Sequence, residues 1–394
     1  MYTNKTNISF LTINLALLLF LGYYILDSGG HGREISSVYL SFVLFAFMSV
    51  VCVNLKSVMF IALAGITGVL PILFSQVQDF GVVGYDFLQL SAFISVVFLF
   101  KSRAPYAVKW TIIEKYTGLA VVITASICLL SAYSQSGSYQ RGELPPLLLL
   151  AVAASFLMTS RREKSAELYY VAGVFMLVSY TAIGVMNGYR TAILFLCVVI
   201  LVLLMYFLSQ AGVEVKKRYK ILWVIVCCGG MASLLYFVFY SGYSDYVRAL
   251  QLVSGDTATL VSNNSRIDQI IVTLQDYIDR DVLGMLIGTG FGTEASANLD
   301  ARVTHNLWVT LVARHGLPGI LFTLLVHYCV LVHAIRIFRG KIAFESLSFF
   351  ARTCLWGGVL VLMDSHLRYS WSDPASLFLL AAATGQYFYR SRRR

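Results

Sequence analysis

The stretch VTHNLWVTLVARHGLPG, which runs from Val303 to Gly319, places an imidazole and an amide at the start of a long apolar segment. The two polar residues are His305 and Asn306, and the segment continues to about residue 335. An apolar segment of 18 or more residues with few charges is typical of a transmembrane helix. The pattern therefore predicts one membrane-spanning helix over 305–335, with His305 and Asn306 at one of its ends.

The composition of the whole chain indicates the same class of protein. Of its 394 residues, 58% are hydrophobic and 13% are charged, and the mean hydropathy is +0.74. These values lie far outside the range of soluble proteins. We therefore predict an all-α fold, a polytopic transmembrane helical bundle of about 12 spans in a single integral membrane domain over 1–394. The predicted spans lie at 8–26, 35–53, 58–75, 80–100, 112–133, 145–159, 168–186, 191–208, 221–241, 305–335, 345–363 and 373–389.

Basic residues orient this predicted bundle, because short cytoplasmic loops are enriched in Lys and Arg. In a twelve-span arrangement the basic clusters all fall on one side, which we predict to be cytoplasmic together with both termini. The clusters are Lys101, Arg103 and Lys109; Arg161, Arg162 and Lys164; Lys216, Lys217, Arg218 and Lys220; Arg336, Arg339 and Lys341; and Arg390, Arg392, Arg393 and Arg394. The net charge of +10 then reflects topology and contact with anionic lipids. The sequence has no basic stripe interleaved with exposed aromatics, so this charge does not indicate binding to nucleic acid.

One long loop, over 242–304, joins the ninth and tenth predicted spans and therefore faces the outside, which is the periplasm in a Gram-negative cell. An apolar stripe behind Ser265 predicts an amphipathic helix at the membrane surface, with Arg266 near its start. The segment after it contains Gly284, Gly288, Gly290 and Gly292. A structural turn is the favoured interpretation of these glycines, and contact of their N–H groups with a phosphate is the alternative.

Three polar features are predicted at one depth on the external side of the membrane. Arg190 lies in the turn that opens the eighth span, Arg266 begins the loop helix, and His305 with Asn306 begins the tenth span. A guanidinium or imidazole at the edge of an apolar span is a functional-site hypothesis. Each residue also has a structural explanation, because Arg190 could snorkel to the interface, Arg266 could be solvated, and His305 could cap a helix through Asn306.

Taken together, these residues resemble the bacterial O-antigen ligase and polymerase family. The resemblance covers Asn187–Thr191 and Asn264–Gly319 and rests most heavily on HNLWVTLVARHGLPG, together with the twelve-span layout. The chain departs from the family at Arg314, where members commonly carry an acidic residue two positions before the first glycine of that block. This departure leaves the role of Arg314 open and is compatible with a subgroup that uses a different acceptor.

The resemblance implies a metal-independent inverting glycosyltransferase that faces the periplasm from the bacterial inner membrane. The donor would be an undecaprenyl-diphosphate-linked glycan, and the acceptor a second glycan or lipid A-core. Arg190 and Arg266 would bind the diphosphate, since a guanidinium can form two parallel bonds to phosphate oxygens. His305 would take a proton from the attacking hydroxyl or position it. Asn306, Gly290 and Arg314 would complete the substrate-binding set, membrane lipids and a chain-length regulator would be partners, and no cofactor or metal is expected.

Other functions remain open from the sequence. A transporter would also have about twelve spans, although no internal repeat of two halves is visible, and a scaffold without catalytic activity is a third class. Within glycan transfer, the external loop 242–304 carries four arginines against eight acidic residues, a net charge of −4. An acidic surface would repel the phosphorylated core that a ligase must accept, so the sequence favours the polymerase over the ligase.

Overall fold

The computed structural model describes residues 59, 66, 80–101, 147–158, 166–186, 195–196, 199–200, 203, 265–290, 306–338, 349–366 and 374–391. Within these residues the regular structure is entirely helical and contains no strand, which confirms the all-α prediction at that level. The helices are α1 (Phe80–Lys101), α2 (Leu147–Leu157), α3 (Ala166–Met186), α4 (Ser265–Ile278), α5 (Val282–Ile287), α6 (Leu307–Phe338), α7 (Phe349–Asp364) and α8 (Pro374–Ser391).

Five of these helices lie where the sequence predicts apolar spans. The bounds of α1, α2, α3, α7 and α8 each fall within a few residues of the predicted ranges. The loop helix behind Ser265 is also confirmed, because α4 is strongly amphipathic and begins at that residue. The predicted spans at 8–26, 35–53, 112–133 and 221–241 lie outside the described residues, and so do most of those at 58–75 and 191–208. By length and composition, one helix in the described part of the chain, over Leu307–Ile337, could cross a membrane.

Apolar residues on facing helices form one core. Helix α7 packs against α8 and α2, α8 packs against α1, and α3 packs against α2. Close approach of α8 is favoured by three fully buried alanines, Ala381, Ala382 and Ala383. At another contact the rings of Phe100 and Phe378 meet edge to face, 5.8 Å apart. Helix α6 packs against α7 and α8 and so joins the same core.

Helix α6 is broken about a third of the way along its length. Gly316 has φ 57° and ψ −134°, which is not helical, and Pro318 follows it. The ring centroids of Trp308 and His327 lie 4.4 Å apart, although 19 residues of straight helix would separate them by about 28 Å. The two halves therefore fold back on each other, and we call residues 307–315 the first arm and residues 317–338 the second arm.

The break corrects the prediction of one continuous span over 305–335. Pro318 has no N–H, so it cannot donate to the carbonyl of Arg314, and its ring opposes a straight helix at this point. Gly316 adopts a positive φ that a side chain would disfavour. The second arm alone, at roughly 33 Å, is as long as the hydrocarbon core of a bilayer is thick. The first arm is a separate short helix that carries Asn306 at its start.

Candidate functional site

The two short helices α4 and α5 form an elbow that rests on the turn of α6. At the bend between α4 and α5, Asp281 caps α5, because its Oδ1 accepts a hydrogen bond of 2.8 Å from the N–H of Gly284. The hydroxyl of Tyr277 closes the bend by donating to the carbonyl of Met285 at 2.7 Å. We refer to residues 265–290 as the elbow. Its second half packs directly against α6.

The elbow satisfies backbone carbonyls exposed by the break in α6. The guanidinium of Arg280 donates through Nη1 to the carbonyl of Ala313 at 2.7 Å. The N–H of Thr289 donates to the same carbonyl at 3.3 Å, and the N–H of Gly290 donates to that of Arg314 at 2.7 Å. Pro318 has no N–H to donate to the carbonyl of Arg314. The N–H of Gly290 in the elbow donates to that carbonyl instead, so it does not remain without a hydrogen bond.

Glycines allow this close docking. Gly288 has φ 80°, and a Cβ there would collide with the carbonyl of Arg314. A Cβ on Gly316 would lie 2.5 Å from the carbonyl oxygen of Met285. Both positions therefore require glycine for conformation and for space. Of the glycine run, Gly288 and Gly290 form a docking turn, which fits the favoured interpretation, whereas Gly284 lies within α5 and Gly292 lies outside the described residues. Contact of Gly290 with a diphosphate stays a prediction.

The other end of the first arm is tied to the end of α7 by Asn306. The Oδ1 atom of Asn306 accepts from the N–H groups of Trp308 at 3.0 Å and Val309 at 3.1 Å, which is a helix N-cap. Its Nδ2 donates to the carbonyl of His366 at 3.0 Å. The N–H of Leu307 donates to the carbonyl of Ser365 at 3.0 Å. Asn306 thus caps the first arm and bridges it to the turn after α7.

Two histidines that the sequence reasoning missed meet beside this cap. The Nε2 atoms of His327 and His366 lie 2.9 Å apart, and Nδ1 of His327 lies 2.7 Å from the carbonyl of Thr323. Trp308 contacts both rings, at centroid distances of 4.4 Å and 6.0 Å. An imidazole within an apolar segment, as at His327, was the available signal. Its pairing could not be read from the sequence, because the partner lies 39 residues away.

Partial burial lowers the pKa of two groups, His366 and Arg280. Desolvation, and then the charge of His327, hold the pKa of His366 below its usual value of 6.5. His366 is therefore neutral at neutral pH and keeps a basic nitrogen. In the elbow, burial lowers the pKa of Arg280, whereas the carboxylate of Asp276 and the ring of Tyr277 act in the opposite direction. Arg280 remains a cation under all ordinary conditions.

The structure places only part of the predicted site. Arg190 and His305 lie outside the described residues, and Arg266 lies in the first turn of α4, where its side chain is not described. Arg314 is buried at the end of the first arm, and Asn306 is buried at its start. Two segments of the predicted site, 265–290 and 306–319, are brought into contact. The position of Arg190 relative to them is not described.

The described residues contain no group of three or more His, Cys, Asp or Glu side chains that could hold a metal ion. In that part of the chain, Cys329 and Cys354 are buried free thiols. A polar site that acts without a metal would depend on hydrogen-bond donors, guanidinium groups and imidazoles.

Comparison with known proteins adds no family assignment. The sequence matches no family model, no curated protein and no solved structure. The resemblance to O-antigen ligases and polymerases therefore remains a prediction from the residues quoted above.

Proposed function

We propose that the protein is a glycosyltransferase of the bacterial inner membrane that works at the periplasmic face. It transfers a glycan from an undecaprenyl-diphosphate donor to an acceptor sugar, and the favoured reaction is polymerisation of a surface polysaccharide such as O-antigen. The observation that carries this proposal is the docking of the elbow onto the turn of α6. Arg280 and Gly290 join the loop segment that contains Arg266 to the segment that begins at His305.

The chemistry of such a transfer suits the residue types in these segments. The leaving group is a lipid diphosphate, and the charge that develops on it is stabilised by guanidinium groups. Arg190 and Arg266 are proposed to bind it, so that no divalent cation is required. His305 is proposed to accept the proton of the attacking hydroxyl or to position that hydroxyl. Attack from the side opposite the diphosphate inverts the anomeric carbon and needs no enzyme nucleophile.

The membrane arrangement is part of the proposal. The twelve predicted spans, with both termini in the cytoplasm, place the loop 242–304 in the periplasm. The exposed apolar face of the second arm supports this arrangement, because leucines there, such as Leu321 and Leu324, are 59% and 61% exposed. In the described part of the chain such a face suits contact with lipid. Single cysteines at Asn298 and Tyr369 should be labelled from outside whole cells, and one at Lys217 should not be.

A ligase that joins the glycan to lipid A-core is the second candidate within the same reaction class. The donor end of the site would be the same in both enzymes, and only the acceptor would differ. The net charge of −4 on the external loop favours the polymerase, because an acidic surface repels a phosphorylated acceptor. A transporter and a non-catalytic scaffold are the alternatives from other classes.

Deletion of the gene separates these functions. Loss of a polymerase leaves a single repeat unit attached to its acceptor, whereas loss of a ligase leaves bare acceptor and polymer on the lipid carrier. Complementation with Arg190→Ala, Arg266→Ala or His305→Ala should fail although the protein is present at the normal level. Complementation with Leu324→Ala, on the exposed face of the second arm, should succeed. Full complementation by an Arg190 or Arg266 variant would remove that residue from the mechanism.

A further inference from the structure

The hydrogen bonds of the two paired imidazoles determine which nitrogen of each ring carries a proton. The carbonyl of Thr323 can only accept, so Nδ1 of His327, 2.7 Å away, must carry a hydrogen and donate it. In the neutral ring, Nε2 of His327 is then an acceptor. It faces Nε2 of His366 at 2.9 Å, so Nε2 of His366 must be the donor. The neutral His366 ring therefore keeps its lone pair on Nδ1.

This lone pair is available at an exposed position. His366 is exposed, and its hydrogen bonds with described residues use Nε2, the backbone N–H and the backbone carbonyl. In this chain of hydrogen bonds, the carbonyl of Thr323 orients His327, and His327 orients His366. A catalytic base is commonly oriented by a second group in this way. When Nδ1 takes a proton, the bond from His366 to His327 becomes charge-assisted and stronger. The low pKa of His366 keeps the ring neutral before that step.

The position of His366 connects this pair to the proposed site. Asn306 donates to the carbonyl of His366, and Leu307 donates to that of Ser365, so the turn after α7 is bonded to the start of the first arm. That start directly follows His305 in the sequence. His366 therefore lies beside the start of the first arm, which is the end where the sequence predicts the reactive residues.

We propose that Nδ1 of His366 is the proton acceptor of the transfer, and that His327 is a positioning residue that holds His366 in the reactive tautomer. This proposal rests on the proposed function. The O–H bond of the acceptor sugar breaks, and its proton goes to Nδ1 of His366. The oxygen forms a bond to the anomeric carbon, and the bond from that carbon to the diphosphate breaks with its electron pair leaving on the diphosphate. His366 then releases the proton to water, and His305 positions the hydroxyl.

The tautomers can be measured without any assay of activity. The chain has only six histidines, so 15N labelling of histidine in the full-length protein in detergent gives few signals to assign. Above pH 7, His366 should show a protonated Nε2 and an unprotonated Nδ1, and His327 the reverse. His327→Ala should convert His366 to a mixture of tautomers, whereas His327→Gln, which can still accept from His366, should largely preserve the Nε2–H form. A His366 ring with its hydrogen on Nδ1 would overturn the proposal.

Chemical rescue tests the proton transfer itself. His366→Ala should lower the rate of transfer by about 100- to 10,000-fold, the usual contribution of a general base. Added imidazole should restore part of that rate, and it should not restore the rate of His305→Ala. Leu324→Ala, on the exposed side of the second arm, is the matched control and should remain active. A His366→Ala protein that works at the wild-type rate, or that imidazole cannot improve, would overturn the proposal.

The measurements separate the two proposals. If the wild-type protein transfers no glycan, the proposed function fails and the role of His366 fails with it, although the tautomers will still show whether the pair exists. If the wild-type protein is active and His366→Ala does not respond to imidazole, only the role of His366 fails. Should His366→Ala not fold, His366→Gln provides the second variant, because it preserves size and a hydrogen bond to His327 while removing the basic nitrogen.

Discussion

The two arms of α6 have similar apolar sequences but different surroundings. In the first arm, Leu307, Trp308 and Leu311 are almost completely buried. In the second arm, the exposed residues are large and apolar, and they comprise Leu317, Leu321, Leu324, Leu325, Tyr328, Leu331 and Ile335. The first arm also carries the cap of Asn306 and receives the elbow at its far end. The break at Gly316 thus lets one apolar segment supply a buried arm and an exposed face.

This difference shows why hydropathy alone does not locate the site. By length and apolar composition, residues Leu307–Ile337 count as a single helix long enough to cross a membrane, although the break divides them into two arms. Hydrogen bonds distinguish them, because the carbonyls of Ala313 and Arg314 and the side chain of Asn306 all bond to groups outside α6. A short helix fixed at both ends is a rigid support for catalytic groups.

The largest effect is expected from removing the break. In Gly316→Ala the added methyl group meets the carbonyl of Met285 and occupies a backbone conformation that costs about 1–3 kcal/mol for a residue other than glycine. The elbow must then shift, so we expect a lower Tm in detergent and loss of surface polymer. Leu317→Ala, at the next and exposed position, is the control and should change Tm little. A Gly316→Ala protein as stable and active as wild type would contradict the role of the turn.

A smaller effect is expected from loosening the elbow. Arg280→Ala removes the charged donor to the carbonyl of Ala313. Since Arg280 is half-buried, we expect a loss near the low end of the range for such bonds, about 1–2 kcal/mol. Hydrogen exchange of the Thr289 and Gly290 amides should accelerate, and Arg280→Lys should protect them only in part. The neighbouring exposed Asp279→Ala is the control. Unchanged exchange in Arg280→Ala would mean that the glycine turn docks without the guanidinium.

The smallest effect separates the two roles of Asn306. Asn306→Ala removes both the cap and the bridge to His366, and loss of the cap alone costs about 1 kcal/mol. Asn306→Asp keeps an acceptor for the cap but loses the Nδ2 donor. We expect Asn306→Asp to retain protection of the amides at 308–310 while activity falls, and Asn306→Ala to lose both. Equal activity in Asn306→Asp and wild type would show that the bridge to His366 is not needed.

Much of this fold was predictable, and the exceptions have physical causes. Helices α1, α2, α3, α7 and α8 follow from runs of apolar residues, and α4 follows from its amphipathic stripe. The break in α6 was also signalled, because a proline inside a helical pattern ends or kinks the helix. The fold-back of the arms was not predictable, since it depends on contacts with α5, a segment distant in the sequence.

The candidate site was less predictable than the fold. The sequence identified Asn306 and the glycine run, but it did not reveal that Gly290 donates to Arg314 or that Arg280 serves the turn. The pairing of His327 with His366 depends on how α6 and α7 pack, and no periodicity within either segment encodes it.

The most direct test of the central claim is transfer by the purified protein. The full-length protein in detergent, with EDTA present, would receive an undecaprenyl-diphosphate-linked repeat unit as donor and as acceptor, and the products would be separated by size. We predict glycans of two or more repeats with release of undecaprenyl diphosphate, and no product from Arg266→Ala or His305→Ala at equal protein concentration. The claim would be contradicted if the wild-type protein leaves the donor unchanged with EDTA and also with added magnesium or manganese.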